Sequence, residues 1–533
     1  MANYSTKTLR FSKTPTAFGC ILLGLLVAVL LAPKAVQAQG KTPQFQYTIS
    51  FPKPASHTYH IDLNTGKFPQ DTLLFKMPNW MPGYYQLMDY AKGIENLVAK
   101  DEKGRSIPLT KVADNAWRAT GVKNKPLRLS YDIKTSKQFV ANSYVDSAHA
   151  YLIPGNSFLY VDGLLNTPVS VSFQKPAAWK NLVTGLEPVV GKATEFTAPD
   201  FDILYDCPIL MGNLEELPSF KVGGVEHRFI GYQMGEFDKV AFMGKLKKVV
   251  EAAVAVIGDI PFKQYTFIGI GPGQGGIEHL NNTTVSFNGK SLTTAASTNR
   301  MMNFLAHEYF HHYNAKRIRP LELGPFDYDQ GSKTNLLWVN EGLTVYYDNL
   351  IVKRAGLADA ETLLSNFNAK LNAVENNPGK RHQSLVQASY NTWKDGPFGT
   401  QGEDPNKAIS YYDKGPLVGL LLDFEIRHAT QNKKSLDDVM RQLYWQYYKK
   451  AGRGFTDAEF QQTCETIAGK SLASLFEYVY TTKELDYATY LGYAGLKLET
   501  KPGEGKQALQ YKITHLENPT AQQKVILQSW LGE

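Results

Sequence analysis

His307-Glu308-Tyr309-Phe310-His311 is the stretch around which the rest of the chain is organised. It reads His-Glu-x-x-His, with Met301, Met302, Phe304 and Leu305 before it and Tyr313 after it. Residues i and i+4 of an α-helix lie one above the other on one face, so two imidazoles at this spacing can reach a single zinc ion. Glu308, beside the first histidine, is positioned to hold a water on such an ion. The run carries helical punctuation: Ser297, Thr298 and Asn299 are cap candidates, and Pro320 bars continuation after Arg319. On this stretch alone, an ordinary polar helix is the competing reading.

A catalytic zinc takes three protein ligands and keeps one position open. The third is expected downstream, and Asn340-Glu341-Gly342, following Leu336-Leu337-Trp338, is the best candidate. A carboxylate in an apolar helix flank needs a partner, which a metal supplies; a surface Arg or Lys would also serve. His312 points roughly 100° round the helix from His311 and suits packing better than ligation.

Composition bounds the rest. A chain of 533 residues, 43% hydrophobic and 20% charged, is globular, with length for about three domains. The net charge of +7 is spread along the chain and forms no basic stripe, which argues against nucleic acid as a partner. Residues 1–38 resemble a secretory signal. Lys7, Arg10 and Lys13 lead the apolar run from Phe18 to Ala32, and Val36-Gln37-Ala38 suits cleavage before Gln39. That run falls short of the ~18 residues that span a bilayer. A secreted or periplasmic protein without a membrane span is therefore expected. Cys207 and Cys464 remain after cleavage, as a pair or as two buried thiols.

From Gln44 the pattern alternates with period two. Phe45, Tyr47, Ile49 and Phe51 share a face; Tyr59, Ile61, Leu63, then Leu127, Leu129, Tyr131, Ile133, then Val169, Val171, Phe173 repeat it. Residues 39–222 are expected to form a β-sandwich-like domain. The aromatic segment from Met77 to Tyr85 could wall a cleft or pack between strands. Residues 223–425 mix strands at 228–232, 265–270 and 283–287 with helices at 237–256, 338–354 and 360–374, and form the catalytic domain. The glycines from Gly269 to Gly276 have dinucleotide-like spacing, but an extended continuation replaces the helix that nucleotide binding requires. Residues 426–490 are expected to be helical, with a capping box at Thr456-Asp457-Ala458-Glu459. Residues 491–533 form a weakly alternating tail.

Several motifs together resemble one family. His307-Glu308-Tyr309-Phe310-His311 followed by Asn340-Glu341-Gly342 is similar to the gluzincin metallopeptidases. Gly275-Gly276-Ile277-Glu278-His279 resembles the substrate-binding strand of gluzincin aminopeptidases in the form found in the glycyl aminopeptidase family. Tyr313-Asn314-Ala315-Lys316-Arg317-Ile318-Arg319-Pro320 resembles that family's sequence after the zinc helix, with Tyr313 where a Trp is usual. Tyr412-Asp413-Lys414-Gly415 resembles the segment carrying its catalytic tyrosine. The likeness runs from Trp80-Met81-Pro82-Gly83 to Glu484-Leu485-Asp486-Tyr487.

The resemblance implies an α+β multidomain chain: a β-sandwich-like N-terminal domain, a thermolysin-like catalytic domain and a helical C-terminal part. It implies one zinc ion per chain on His307, His311 and Glu341, Glu308 as general base, and Tyr412 as donor to the oxyanion. Glu278 would bind the α-ammonium of a peptide with a free N-terminus, with Gly275 and Gly276 allowing close backbone approach and His279 helping to shape the pocket. Small N-terminal residues, glycine or alanine, are the implied substrates. Read without the family, Glu278 is a turn or surface carboxylate and Tyr412 a structural tyrosine. Many members carry a PDZ-like module for which the stretch from Leu491 to Glu533 is too short. A zinc endopeptidase on the same scaffold and an inactive envelope scaffold protein are the alternatives.

Overall fold

The computed structural model describes residues 44–135, 137–503 and 509–533. The expected signal segment lies outside them. Four runs of alternating residues build the first sheet. In an eight-stranded sheet, Val169–Gln174, Phe45–Ser50, Thr58–Thr65 and Leu127–Lys134 are consecutive neighbours, and Phe45–Ser50 runs parallel to Val169–Gln174. The side chains named by the period-two pattern, Phe45, Tyr47, Ile49, Tyr59, Ile61, Leu63, Leu129, Tyr131, Ile133 and Val169 among them, are buried on one face. Two four-stranded sheets complete this region.

A second sheet starts earlier than the alternating pattern suggests. Glu215–Glu216 and Phe220–Val222 both pair antiparallel with Val225–Gly231, so their hydrogen bonds belong to the following region. Val225–Gly231, Gln264–Gly269 and Asn282–Val285 run parallel, and Gly276–Glu278 lies antiparallel at the edge. Helices Lys239–Ile257 and Ala295–Phe310 pack with this sheet through Val249, Val250, Leu305 and Tyr309 against Phe229, Tyr265 and Phe267. The remainder is helical. Helix Tyr411–Ala429 passes through residue 425 without a break, so the expected division there falls inside one element.

The tail is more structured than its weak alternation predicts. Leu496–Pro502 and Leu509–His515 form a hairpin, and a helix, Ala521–Leu531, follows. The side chain of Trp530 is fully buried against Phe367 and Phe424, and its Nε1 donates to the Tyr346 hydroxyl at 3.0 Å. Cys207 and Cys464 are separate buried thiols. Among the described residues no helix is long and apolar enough to cross a membrane.

Candidate active site

Helix Ala295–Phe310 begins one turn earlier than the cap candidates imply. Thr294 is the N-cap, and its side chain and that of Ser297 satisfy each other's backbone N–H in a capping box. The helix stops at Phe310, well before Pro320, because His311 already sits at the C-cap. Met302, Leu305, Ala306, Tyr309 and Phe310 bury one face in the core. Arg300, Phe304, His307 and Glu308 line a cleft on the other.

His307 and His311 meet as their spacing requires, with the Nε2 atoms 2.9 Å apart. Glu341 Oε2 stands 3.2 Å from His311 Nε2 and 3.7 Å from His307 Nε2. Among the described residues this is the one cluster of His, Cys, Asp or Glu that could share a metal ion. Glu341 sits in a π-helical turn, Trp338–Gly342, that leads directly into helix Leu343–Arg354. The wider turn rotates the carboxylate toward the histidines, a common use of such turns at functional sites. The turn is held from both sides. Ser389 Oγ accepts from Trp338 N–H at 3.0 Å, and Gly342 packs backbone to backbone against Gly415 of helix Tyr411–Ala429. A Cβ on Gly342 would stand 2.7 Å from the Gly415 Cα, so neither position tolerates a side chain without displacement. That contact also brings Tyr412 beside Glu341.

The triad is tuned by residues to which the sequence assigned no role. His307 Nδ1 donates to Asp348 Oδ2 at 3.0 Å, and His311 Nδ1 donates to the Asn314 carbonyl at 2.8 Å. Both Nδ1 atoms therefore hold their protons, and both Nε2 lone pairs face each other and Glu341. Two facing lone pairs at this distance need a cation between them, and a His-His-Glu donor set with Nε2 free suits a divalent metal ion. Asp348 follows Glu341 by seven residues on the same helical face, which is the one clue the sequence offered. Its other oxygen accepts from Asn303 and Asn349. Asn314 anchors the site further, donating from Nδ2 to the Val339 and Asn340 carbonyls and to Thr344 Oγ1. Burial works against charge on His307, but hydrogen bonds to Asp348 and Glu341 prevail and push its pKa up to about 10. Protons and metal thus compete for the same nitrogens.

Glu308 lies in the cleft wall with the Thr283 hydroxyl 3.5 Å from its carboxylate. Burial pushes its pKa up to about 7, against the pull of both imidazoles. Gly276 of the edge strand lies against it: a Cβ there would be 2.6 Å from Glu308 Oε1. Gly275 and Gly276 both line the cleft, which has a volume of about 680 Å³. Glu278 is buried, and among the described residues its carboxylate makes no ion pair or side-chain hydrogen bond. The backbone of Gly83 presses on it, with a built Cβ 2.8 Å from Oε2. The aromatic segment thus serves twice: Gly83, Tyr84 and Tyr85 face the cleft, while Trp80 packs edge-on to Trp393 in the core. The Tyr412 ring lies 6.2 Å from that of His307, and burial and the Glu341 charge hold its phenol well above the usual range. It is a donor at any working pH.

His279 and His312 are elsewhere. Alternation along the edge strand turns His279 away from the cleft, where its Nδ1 meets Asp206 Oδ1 at 3.2 Å beside Lys316. It does not shape the cleft wall as expected. His312 is buried among Phe262, Tyr265, Tyr309 and Tyr313, and burial holds its pKa well below the ordinary value.

Residues 46–213 match the profile of the Peptidase M61 N-terminal domain, and residues 300–418 match that of M61 glycyl aminopeptidase. The two cover more than half of the chain. The chain belongs to the M61 glycyl aminopeptidase family. It is a peptidase, and the His-Glu-x-x-His helix, the Asn-Glu-Gly turn and Tyr412 all fall within the second match. Among solved structures, an aminopeptidase N family protein from Idiomarina loihiensis is 26% identical, with a TM-score of 0.80 over 86% of this chain and 79% of that one. An M1 zinc metallopeptidase from Deinococcus radiodurans has the same fold at 14% identity, with a TM-score of 0.51 over 84% of this chain and 96% of that one. A mutant of that M1 enzyme, bound to a Tyr-Ser-Ala substrate, matches equally at 14% and 0.51, over 83% of this chain and 94% of that one. No curated protein matches. This M61 chain thus has the α+β multidomain architecture that its motifs imply, with Asp348 as an addition that the motifs did not name and Asn314 as a motif residue whose role they did not give.

Proposed function

We propose that this M61 peptidase is a zinc aminopeptidase that removes small N-terminal residues, glycine or alanine, from peptides outside the cytoplasm. The observation that carries the reading is Glu278. A buried carboxylate without a counter-ion is costly, and a substrate's α-ammonium would relieve that cost. It sits on a sheet edge two residues from Gly276, which touches Glu308, so a peptide whose N-terminus it held would present its first peptide bond to the triad. His307, His311 and Glu341 would hold the zinc. When bound, zinc supplies a Lewis acid that polarises a carbonyl and makes water acidic near neutral pH.

The chain's own groups do the rest. The unpaired edge of Gly276–Glu278 offers backbone hydrogen bonds to an extended peptide, as an added strand would use them. Glu308 accepts a proton from the attacking water at its carboxylate and returns it to the leaving amine. The Tyr412 hydroxyl donates to the carbonyl oxygen as negative charge gathers there. Tyr85 and the Gly83 turn wall the cleft beside Glu278 and support a preference for small first residues. The N-terminal charged and apolar segments support the extracytoplasmic location.

The test compares Ala-Ala-Ala with its N-acetyl form, using zinc-loaded protein, chelator-treated protein and Glu308→Gln. Only the free peptide should be cut, activity should vanish with the metal and return with zinc, and the variant should keep zinc while losing turnover. Equal cleavage of the acetylated peptide would identify an endopeptidase and end the Glu278 reading.

A further inference from the structure

Two charged groups flank the metal triad. The Glu278 carboxylate lies directly behind Gly83, a residue of the cleft wall, and Arg300 of helix Ala295–Phe310 is itself part of that wall. The strand orders the positions between them. Glu278 faces Gly83, Gly276 faces Glu308 and Phe304, and Gln274 and Gly275 share a wall with Phe304 and Arg300. A peptide that ran along this edge from Glu278 would therefore leave the metal triad in the direction of Arg300.

Arg300 is exposed, and among the described residues it forms no ion pair. It borders three hollows at once: the cleft itself, a small recess by Gln274, and a groove of about 660 Å³ that continues past Asn303 and Asn366. The other cation on that groove, Lys370, is already bound to Asp413 at 2.9 Å. Asp348, which lines both the cleft and that groove, is already engaged by His307, Asn303 and Asn349. Among the described residues the guanidinium is thus an uncompensated positive charge on the cleft lining.

Its distance selects a length. Arg300 precedes His307 by seven residues, which is roughly 10 Å along a helix. An extended peptide advances ~3.3 Å per residue, so two or three residues beyond the cut bond bring a C-terminal carboxylate to that level. We propose that Arg300 is a subsite for the C-terminal carboxylate of short peptides, which makes free-acid tripeptides and tetrapeptides the preferred substrates. This rests on the reading that Glu278 holds the N-terminus. A planar guanidinium can grip a carboxylate with two parallel hydrogen bonds. An amide or a long chain passing through cannot offer that partner.

The experiment measures kcat/KM for Ala-Ala-Ala and its C-terminal amide with wild type, Arg300→Gln and Arg300→Glu. The acid-to-amide ratio within each protein is the readout, so a general loss of activity cancels. Wild type should favour the acid by about two- to fivefold, the size of an exposed charge pair, and the preference should shrink with salt. Arg300→Gln should bring the ratio to about one, and Arg300→Glu should invert it. Wild type without an acid preference, or a ratio unchanged in Arg300→Gln, overturns the proposal. The same ratio, measured calorimetrically as binding to zinc-loaded Glu308→Gln, tests the subsite without turnover. N-acetyl-Ala-Ala-Ala in parallel reports separately on Glu278.

Discussion

Asp348→Asn removes one charge from the support of His307 and leaves the side-chain shape unchanged. In the native site Oδ1 accepts from Asn303 and Asn349, at 3.1 Å and 2.7 Å, while Oδ2 accepts from His307 Nδ1 at 3.0 Å. An asparagine must put its oxygen toward one set and its NH2 toward the other. With oxygen toward the two amides, NH2 faces the imidazole N–H, and the ring escapes only by moving its proton to Nε2. That tautomer has no lone pair for a metal. With oxygen toward His307, the NH2 meets two amide donors in a buried pocket. Either arrangement forfeits a charge-assisted bond, worth about 1.5–3 kcal/mol. Zinc affinity should fall by about ten- to a hundredfold. Asp348→Ala, which leaves room for a water to accept from Nδ1, should be no worse. The assay is competition with a chromophoric chelator at pH 7.5, with circular dichroism to confirm the fold. Asp348→Asn binding zinc within about twofold of wild type would refute the tautomer argument.

Other consequences follow from the same geometry. Tyr412→Phe should lower kcat about a hundred- to a thousandfold on alanyl anilide with KM little changed, as for loss of one oxyanion donor; a loss confined to KM would make Tyr412 a binding residue. Gly415→Ala forces a Cβ to within 2.8 Å of the Gly342 Cα and should cost about 1–3 kcal/mol in urea denaturation while loosening the metal site; an unchanged midpoint would mean the two helices can part freely. Asp206 is buried, and although burial alone would raise its pKa, the Lys316 charge and the His279 hydrogen bond bring it from 3.8 to about 2. The unfolded chain therefore binds that proton more readily. The stabilisation, about 2 kcal/mol, is present above pH ~4 and fades as pH falls toward ~2. Asp206→Asn should flatten the dependence of the urea midpoint on pH across that window, and an unaltered slope would remove Asp206 as its source.

The sequence by itself determined whatever local period or short motif can encode. Alternation in Phe45, Tyr47 and Ile49 fixed which face of a strand would be buried, because side chains change sides at every residue. The i, i+4 spacing of His307 and His311 fixed their meeting, because the helix repeats every 3.6 residues. Glu341 was legible as a third ligand because a carboxylate in an apolar flank needs a partner, whereas Gly275, Gly276, Glu278 and Tyr412 gained roles only as pieces of a family pattern. Tertiary structure alone decided the contacts between segments far apart in the chain. It set Asp348 behind His307, pressed Gly342 onto Gly415, turned His279 toward Asp206, and placed Arg300 on the cleft lining with no ion pair among the described residues. It also capped the motif helix at Thr294 and buried Trp530 of a tail whose sequence alternates only weakly. No period records such choices. Each depends on which surfaces pack together and on how every buried donor and acceptor then finds, or fails to find, its counterpart.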